Sequence, residues 1–301
     1  KTLRVYQVLP LSIASARVSH ATGMQIPQAK DSINLARAVL GTVPVEEDGS
    51  AYFTAPARKE LYFQALDEDG LAVTSMRSGT HLQPGERLVC QGCHEPHWTA
   101  PVMSTEVPLA LRRGPSRIKP EVPEAWPISF PRLVQPVLNR HCVDCHRQES
   151  KAPSLSPEPG ERHGWSQAYE TLARRAWSAG GTRSTPGQVG ARRSRLYQML
   201  QKGHHNVQLD EEAWDRLVTW IDLNAPCHGT WGDVYPIPDR AHERRMELRR
   251  RYGGPTVDPE HVPAASRPLA EPISAAAGDT VLQAALAAGI DVPRLCFDPR
   301  L

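Results

Sequence analysis

The 301 residues carry 35 Lys and Arg against 33 Asp and Glu, a formal charge of +2, with 40 % hydrophobic and 6 % aromatic residues. That length suits about two domains with connecting segments, the balanced charge offers no basic stripe for nucleic acid, and no apolar run approaches the roughly 18 residues of a membrane span. The 28 prolines, roughly twice an average usage near 5 %, predict a loop-rich chain around modest cores.

Lys1–Pro10 alternates apolar and polar residues like a strand and has no cleavage-type run of small residues. Residues 1–40 are therefore expected to be the remnant of an upstream region, with any leader further upstream. From Gly41 the runs Ala51–Phe53, Leu61–Leu66 and Leu71–Met76 are β-prone, and Glu47-Asp48-Gly49 and Asp69-Gly70 supply the turns, the second a strong hairpin signal. They predict a small antiparallel β domain over 41–103, whose last loop, turned at Pro84-Gly85, leads into Cys90-Gln91-Gly92-Cys93-His94. A Pro-, Ser- and charge-rich stretch follows, read as a linker over 104–127.

The next unit, 128–233, reads as helical. Phe130, Leu133, Val134, Val137 and Leu138 recur at helical spacing, with Ser129 as a candidate cap and Pro136 implying a late start or a kink. This helix leads into Cys142-Val143-Asp144-Cys145-His146, and Gln148–Gly164 reads as a surface loop. Further helices are expected over Ser166–Trp177, over Ser194–Lys202 stopped by Gly203, and over Glu211–Leu223 capped by Asp210. In the last of these Trp214, Leu217, Val218 and Ile221 form the apolar stripe expected to face the first helix and a bound group. Residues 234–268 read as a second linker, with the Arg244–Arg251 cluster as a solvated helix face.

Four of the six cysteines fall in the two C-x-x-C-H copies; a single copy is expected on the order of 0.005 times per chain by chance at this composition, and two are far rarer. Two thiols three residues apart reach the two vinyl groups of one porphyrin, and the adjacent imidazole then lies under the iron. Structural zinc would want paired Cys-x-x-Cys units about 15–20 residues apart, whereas 48 residues separate Cys93 from Cys142. A thioredoxin-like pair would follow a strand in a βαβ pattern, and neither copy does. The motifs therefore predict two covalent haems c, attached through Cys90 and Cys93 with His94 on the iron, and through Cys142 and Cys145 with His146. Such attachment belongs to oxidising compartments, so the location is expected to be periplasmic or otherwise extracytoplasmic, with redox proteins as partners. For the sixth ligand of the second haem, the loop Gly203-His204-His205-Asn206 offers His204 or His205, with Met199 as the alternative; a second imidazole would lower the potential relative to a thioether. His81 is a lesser distal candidate for the first haem, His97 and His228 read as non-ligands, and Cys227 reads as a buried free thiol.

The runs VPVEEDGSAYF, LYFQALDEDGLAVTSMRS and LQPGERLVCQGCHEP resemble the middle domain of the hydrazine synthase alpha subunit family. The stretch SRLYQMLQKGHHNVQLDEEAWDRLVTWIDLNAPCHGTWGD is similar to the cytochrome c-like part that follows it in that family, so the resemblance spans roughly Val43–Asp233. It implies a multidomain α and β chain: a β domain with a catalytic-type haem, then an all-α domain whose haem passes electrons to or from it. In the family a β-propeller precedes this part, and a tyrosine four positions after the motif histidine ligates the catalytic iron. That position is Trp98 here, so His94 is expected to be an ordinary axial ligand. Three functions remain open: an electron carrier, a redox enzyme acting on a small nitrogen compound at an open first haem, and a docking module of a multihaem complex. Thr280–Leu301 resembles the opening of a plant-type [2Fe–2S] domain with its first cluster cysteine at Cys296, so 269–301 is read as a partial ferredoxin-like tail.

Overall fold

A computed structural model describes residues 1–10, 36–76, 79–91, 106–161, 165–176, 185–233 and 237–264. Cys93, His94, His97, Trp98 and the tail with Cys296 lie outside the described residues. No helix among the described residues is long and apolar enough to cross a membrane.

The sheet has four antiparallel strands, β1 (Thr2–Val8), β2 (Arg37–Pro44), β3 (Glu60–Leu66) and β4 (Ala72–Ser75), in the order β2-β1-β3-β4. It begins at Thr2, not at Gly41: the segment read as an upstream remnant supplies a central strand, paired along its length with β2 and β3. Its alternating pattern was legible; that it lies between two partners was not, because pairing across dozens of residues leaves no local mark. The hairpin at Asp69-Gly70 forms as expected, with Gly70 at φ +74° between β3 and β4. Of Ala51–Phe53, only Phe53 makes a bridge, to Ser116.

Residues 106–128 are no free linker. Thr42 and Lys119 exchange two backbone hydrogen bonds of 2.9 Å, Val39 N–H donates to Ala125 at 2.9 Å, and Ile128 N–H donates to Arg37 at 2.9 Å. The segment thereby covers the outer edge of β2, whose polar groups would otherwise be unpaired. Gly41 makes this approach feasible: it has φ +137°, and a Cβ there would stand 2.2 Å from the Lys119 oxygen.

The helical part comprises α1 (Phe130–Leu133), α2 (Gln135–His141), α3 (Val143–Gln148), α4 (Gln167–Ala176), α5 (Arg195–Gln201) and α6 (Glu211–Asp222), followed by α7 (Asp239–Arg251). The expected single helix before the second motif is broken at Val134, two residues before Pro136. Proline has no N–H for the carbonyl four residues back, Arg132; that oxygen instead lies 3.5 Å from the Arg216 guanidinium. Ser129 adopts extended backbone before α1 but its side chain makes no capping bond. Ser194 and Asp210 do cap, accepting from Tyr197 N–H and Ala213 N–H. The α7 helix buries none of its residues, in keeping with its arginines.

α6 is covered on both sides. Against α1 and α4 lies an aromatic cluster in which the Phe130 ring stands 5.3 Å from both Trp220 and Tyr169, and Trp220 and Phe130 are wholly buried. The expected stripe shifts accordingly: Leu217, Val218 and Ile221 are buried, while Trp214 is half-buried against Tyr197 and Trp220 takes the centre. Against the sheet, α6 presents Thr219 and Asp222 to Arg4 and Gln64, which pair across β1 and β3. Sheet and helices thus form one unit through Ala264.

Candidate functional site

The second C-x-x-C-H segment crosses the junction of α2 and α3. Cys142 is the residue between the two helices, with φ −131°, and the turn carries on because His146 N–H donates to the Cys142 carbonyl at 3.1 Å. Cys142 is half-buried and Cys145 exposed, and both are free thiols. Burial, with the Cys145 sulfur nearby, pushes the Cys142 thiol up to about 11.

His146 is held from behind. Its Nδ1 lies 2.8 Å from the Pro153 carbonyl, which can only accept, so Nδ1 carries the proton and Nε2 presents its lone pair. Pro153 lies in the stretch read as a surface loop. That loop is anchored: Gln135 Nε2 donates to the Leu155 carbonyl at 3.2 Å, and Leu155 is buried.

Across from His146 stands the loop that follows α5. Gly203, His205 and Asn206 all have positive φ, at +92°, +48° and +60°, and Val207 N–H closes the turn onto the His204 carbonyl at 3.0 Å. Asparagine and histidine tolerate this left-handed conformation better than most residues. The loop is pinned to the motif helix at its far end, where Arg140 and Asp210 form an ion pair of 2.9 Å and His141 meets the Gln208 backbone. The outcome is selective: the His204 ring lies 6.1 Å from that of His146, while His205 is exposed and stacks edge-on against His204 at 4.7 Å. Burial, with His205 and His146 nearby, lowers the pKa of His204.

Two imidazoles on opposite sides of one metal, each at a metal–nitrogen distance of about 2 Å, put their ring centres roughly 6 Å apart. Among the described residues no set of three or more His, Cys, Asp or Glu side chains could hold a metal ion unaided. A porphyrin brings four nitrogens of its own and needs only the axial pair. A further observation fits such a group: His141 Nε2, adjacent to Cys142, is buried without a hydrogen-bond partner.

The first motif presents less. Leu88 and Val89 are exposed, as are Cys90 and Gln91, and the rest of the motif lies outside the described residues. His81 lines a cavity at the end of β1. Cys227 is the buried free thiol expected, its pKa raised by burial, and its carbonyl accepts from Phe130 N–H at 2.9 Å.

Residues 1–95 match the family model described as the hydrazine synthase alpha subunit middle domain. The β region is hydrazine synthase alpha-like. The match runs from Lys1, just before β1, through the first C-x-x-C-H segment and stops short of the helices, so the cytochrome c-like resemblance of the later region is not carried by it. Among solved structures, Kuenenia stuttgartiensis hydrazine synthase is similar with a TM-score of 0.50 at 17 % identity, over 76 % of this chain. At that identity the likeness is one of fold: a small antiparallel sheet with helices packed on it. The chain spans 39 % of the length of that chain. Residues 270–301 match the model of a 2Fe-2S iron-sulfur cluster binding domain. Within that stretch Cys296 is the single cysteine, one of the four thiolates such a cluster requires. No curated protein matches significantly.

The sequence missed the residues behind the site. Pro153 acts through its carbonyl, which no side-chain pattern reveals. Asp222, Arg4 and Gln64, which join the site's last helix to the sheet, were read only as strand and helix positions.

Proposed function

We propose that this chain is an extracytoplasmic dihaem c-type cytochrome that transfers electrons to and from redox partner proteins. Cys142 and Cys145 would tether one haem, with His146 and His204 as its axial pair; Cys90, Cys93 and His94 would hold the other. The observation that carries this reading is the 6.1 Å spacing of the His146 and His204 rings, with His146 held in the ligating tautomer by Pro153.

Bound haem supplies a one-electron redox couple. The chain's own contribution is to fix the surroundings of that couple. Pro153 orients the His146 ring and holds the proton on Nδ1, so that Nε2 faces outward as the ligating nitrogen. The left-handed turn at His205-Asn206 and the Arg140–Asp210 pair hold His204 opposite. A haem held by both His146 and His204 would have no vacant position for a substrate, which would separate electron transfer from small-molecule activation.

The test is expression with haem-maturation machinery. The mature chain should gain the mass of two haems and show a low-spin component. His204→Met should raise the midpoint potential of one haem, whereas His205→Ala should leave it in place. A colourless chain of unchanged mass, or a His204→Ala variant with an unaltered spectrum, would overturn the reading.

A further inference from the structure

Away from the motifs, a cavity of about 170 Å³ opens where the end of β1, the start of β3 and the loop after α7 meet. Arg58, Lys59, Glu60, His81, Trp126 and Arg249 are among its walls. The cations outnumber the anions, and the anions are engaged. Glu60 accepts from the Tyr62 hydroxyl at 3.0 Å, and Asp258, also on the wall, pairs with His242 at 3.1 Å and accepts from Glu260 N–H at 2.9 Å.

The cations keep most of their capacity. Among the described residues Arg58 donates to the Gly253 carbonyl and Arg249 to the Val257 carbonyl at 3.0 Å, each using one of five N–H groups. Lys59 is half-buried, its ammonium 5.1 Å from the centre of the Trp126 ring, and it has no carboxylate partner among the described residues. Burial and Arg249 together lower its pKa, as befits a cation held near a second cation without a counter-charge. A partly desolvated ammonium in that position is costly unless an anion joins it.

We propose that this cavity binds a small oxyanion, a carboxylate or an inorganic phosphate-like ion, between Lys59, Arg249 and Arg58. The size is suitable, since an apolar cavity of about 150 Å³ holds a six-carbon ring. Trp126 shapes one wall around the lysine. Because Arg249, Pro255, Val257, Asp258 and Pro259 come from the C-terminal arm while Lys59 immediately precedes β3, the ion also ties that arm to the β region. This inference stands apart from the haem reading and does not require it.

The experiment is isothermal titration of the full mature chain with inorganic phosphate and, separately, with acetate, at constant ionic strength with chloride as background. Saturable one-to-one binding of either probe is expected, phosphate alone pointing to an inorganic oxyanion and acetate to a carboxylate ligand. Lys59→Met and Arg249→Gln should each weaken it tenfold or more, while Lys59→Arg retains it and the visible spectrum stays unchanged. Hydrogen exchange should slow across Gly253–Pro259 when the probe binds. Absence of saturable binding by both probes overturns the proposal, as does binding that persists undiminished in both Lys59→Met and Arg249→Gln.

Discussion

The two sides of α6 are buried in different ways. Toward α1 and α4 it meets rings: Phe130, Tyr169 and Trp220 lie within 5.3–6.4 Å of one another, and Trp220 Nε1 satisfies itself on the Pro226 carbonyl at 2.8 Å. Toward the sheet it meets polar groups. Arg4 donates to Gln64 at 2.6 Å and to Thr219 at 3.0 Å, and Asp222, 3.8 Å from Arg4, accepts from Ala72 N–H at 2.9 Å and Ala191 N–H at 2.6 Å. An apolar contact tolerates small slips in position, whereas this seam works in one register only. The cluster therefore fixes how the sheet sits on the helix that follows the His204 loop.

The seam also carries an internal opposition. Asp222 is the last residue of α6, where the helix dipole disfavours negative charge. Burial raises its pKa to about 6, against the pull of Arg4 and the two backbone N–H groups. Gly190, at φ +62°, lets the chain approach it: a Cβ there would stand 2.1 Å from the Asp222 carboxylate.

The largest test of the contrast removes one partner on the polar side. Arg4→Met leaves Asp222 buried without its cation and should cost about 3–5 kcal/mol in denaturant unfolding. The Arg4→Met/Asp222→Asn double variant should recover part of that loss, and strict additivity of the two single changes would show that the groups do not couple. On the apolar side Phe130→Ala should cost a comparable 3–5 kcal/mol by opening a cavity, yet with no dependence on pH.

That dependence is the sharper discriminator. With its folded pKa near 6 and an ordinary value of 3.8, Asp222 keeps its proton in the folded state over a range where the unfolded chain has lost it. Its contribution to stability is therefore greatest below about pH 4, falls as pH rises to about 6, and is flat beyond, a change of up to roughly 3 kcal/mol. Unfolding curves at pH 4 and 7 should differ by this amount more in the parent than in Asp222→Asn. Equal slopes in the two proteins would remove Asp222 as the cause. The smallest effect belongs to the caps: Ser194→Ala and Asp210→Ala should each cost about 1 kcal/mol. Asp210→Ala should also loosen the His204 loop through loss of its pair with Arg140, visible as faster exchange at 203–209.

Legibility followed the same division. Periodicity placed α4, α5 and α6 within a residue or two and found the Asp210 cap of α6, since amphipathic spacing and an oxygen at the N-cap are local properties. The Asp69-Gly70 hairpin was equally plain, because a left-handed turn needs its glycine in sequence. The seam left no such trace: Arg4 and Asp222 are 218 positions apart, and a buried arginine looks in sequence like any strand-edge polar residue. The stretch 104–127 was read as a free linker for a related reason, because Pro- and Ser-rich segments look alike whether they hang free or lie along a strand edge as 106–128 does.

The chain's own letters determined that two C-x-x-C-H segments exist, that the second is carried on helix, and that a His-His pair sits in the loop before the closing helix. Only the folded chain separates His204 from His205, because a backbone turn brings the His204 ring to 6.1 Å from that of His146 and leaves His205 exposed. Tertiary structure likewise decided that the first ten residues belong inside the sheet, since strand pairing and the burial of Arg4 against Asp222 arise from partners distant in sequence, and no local window contains both.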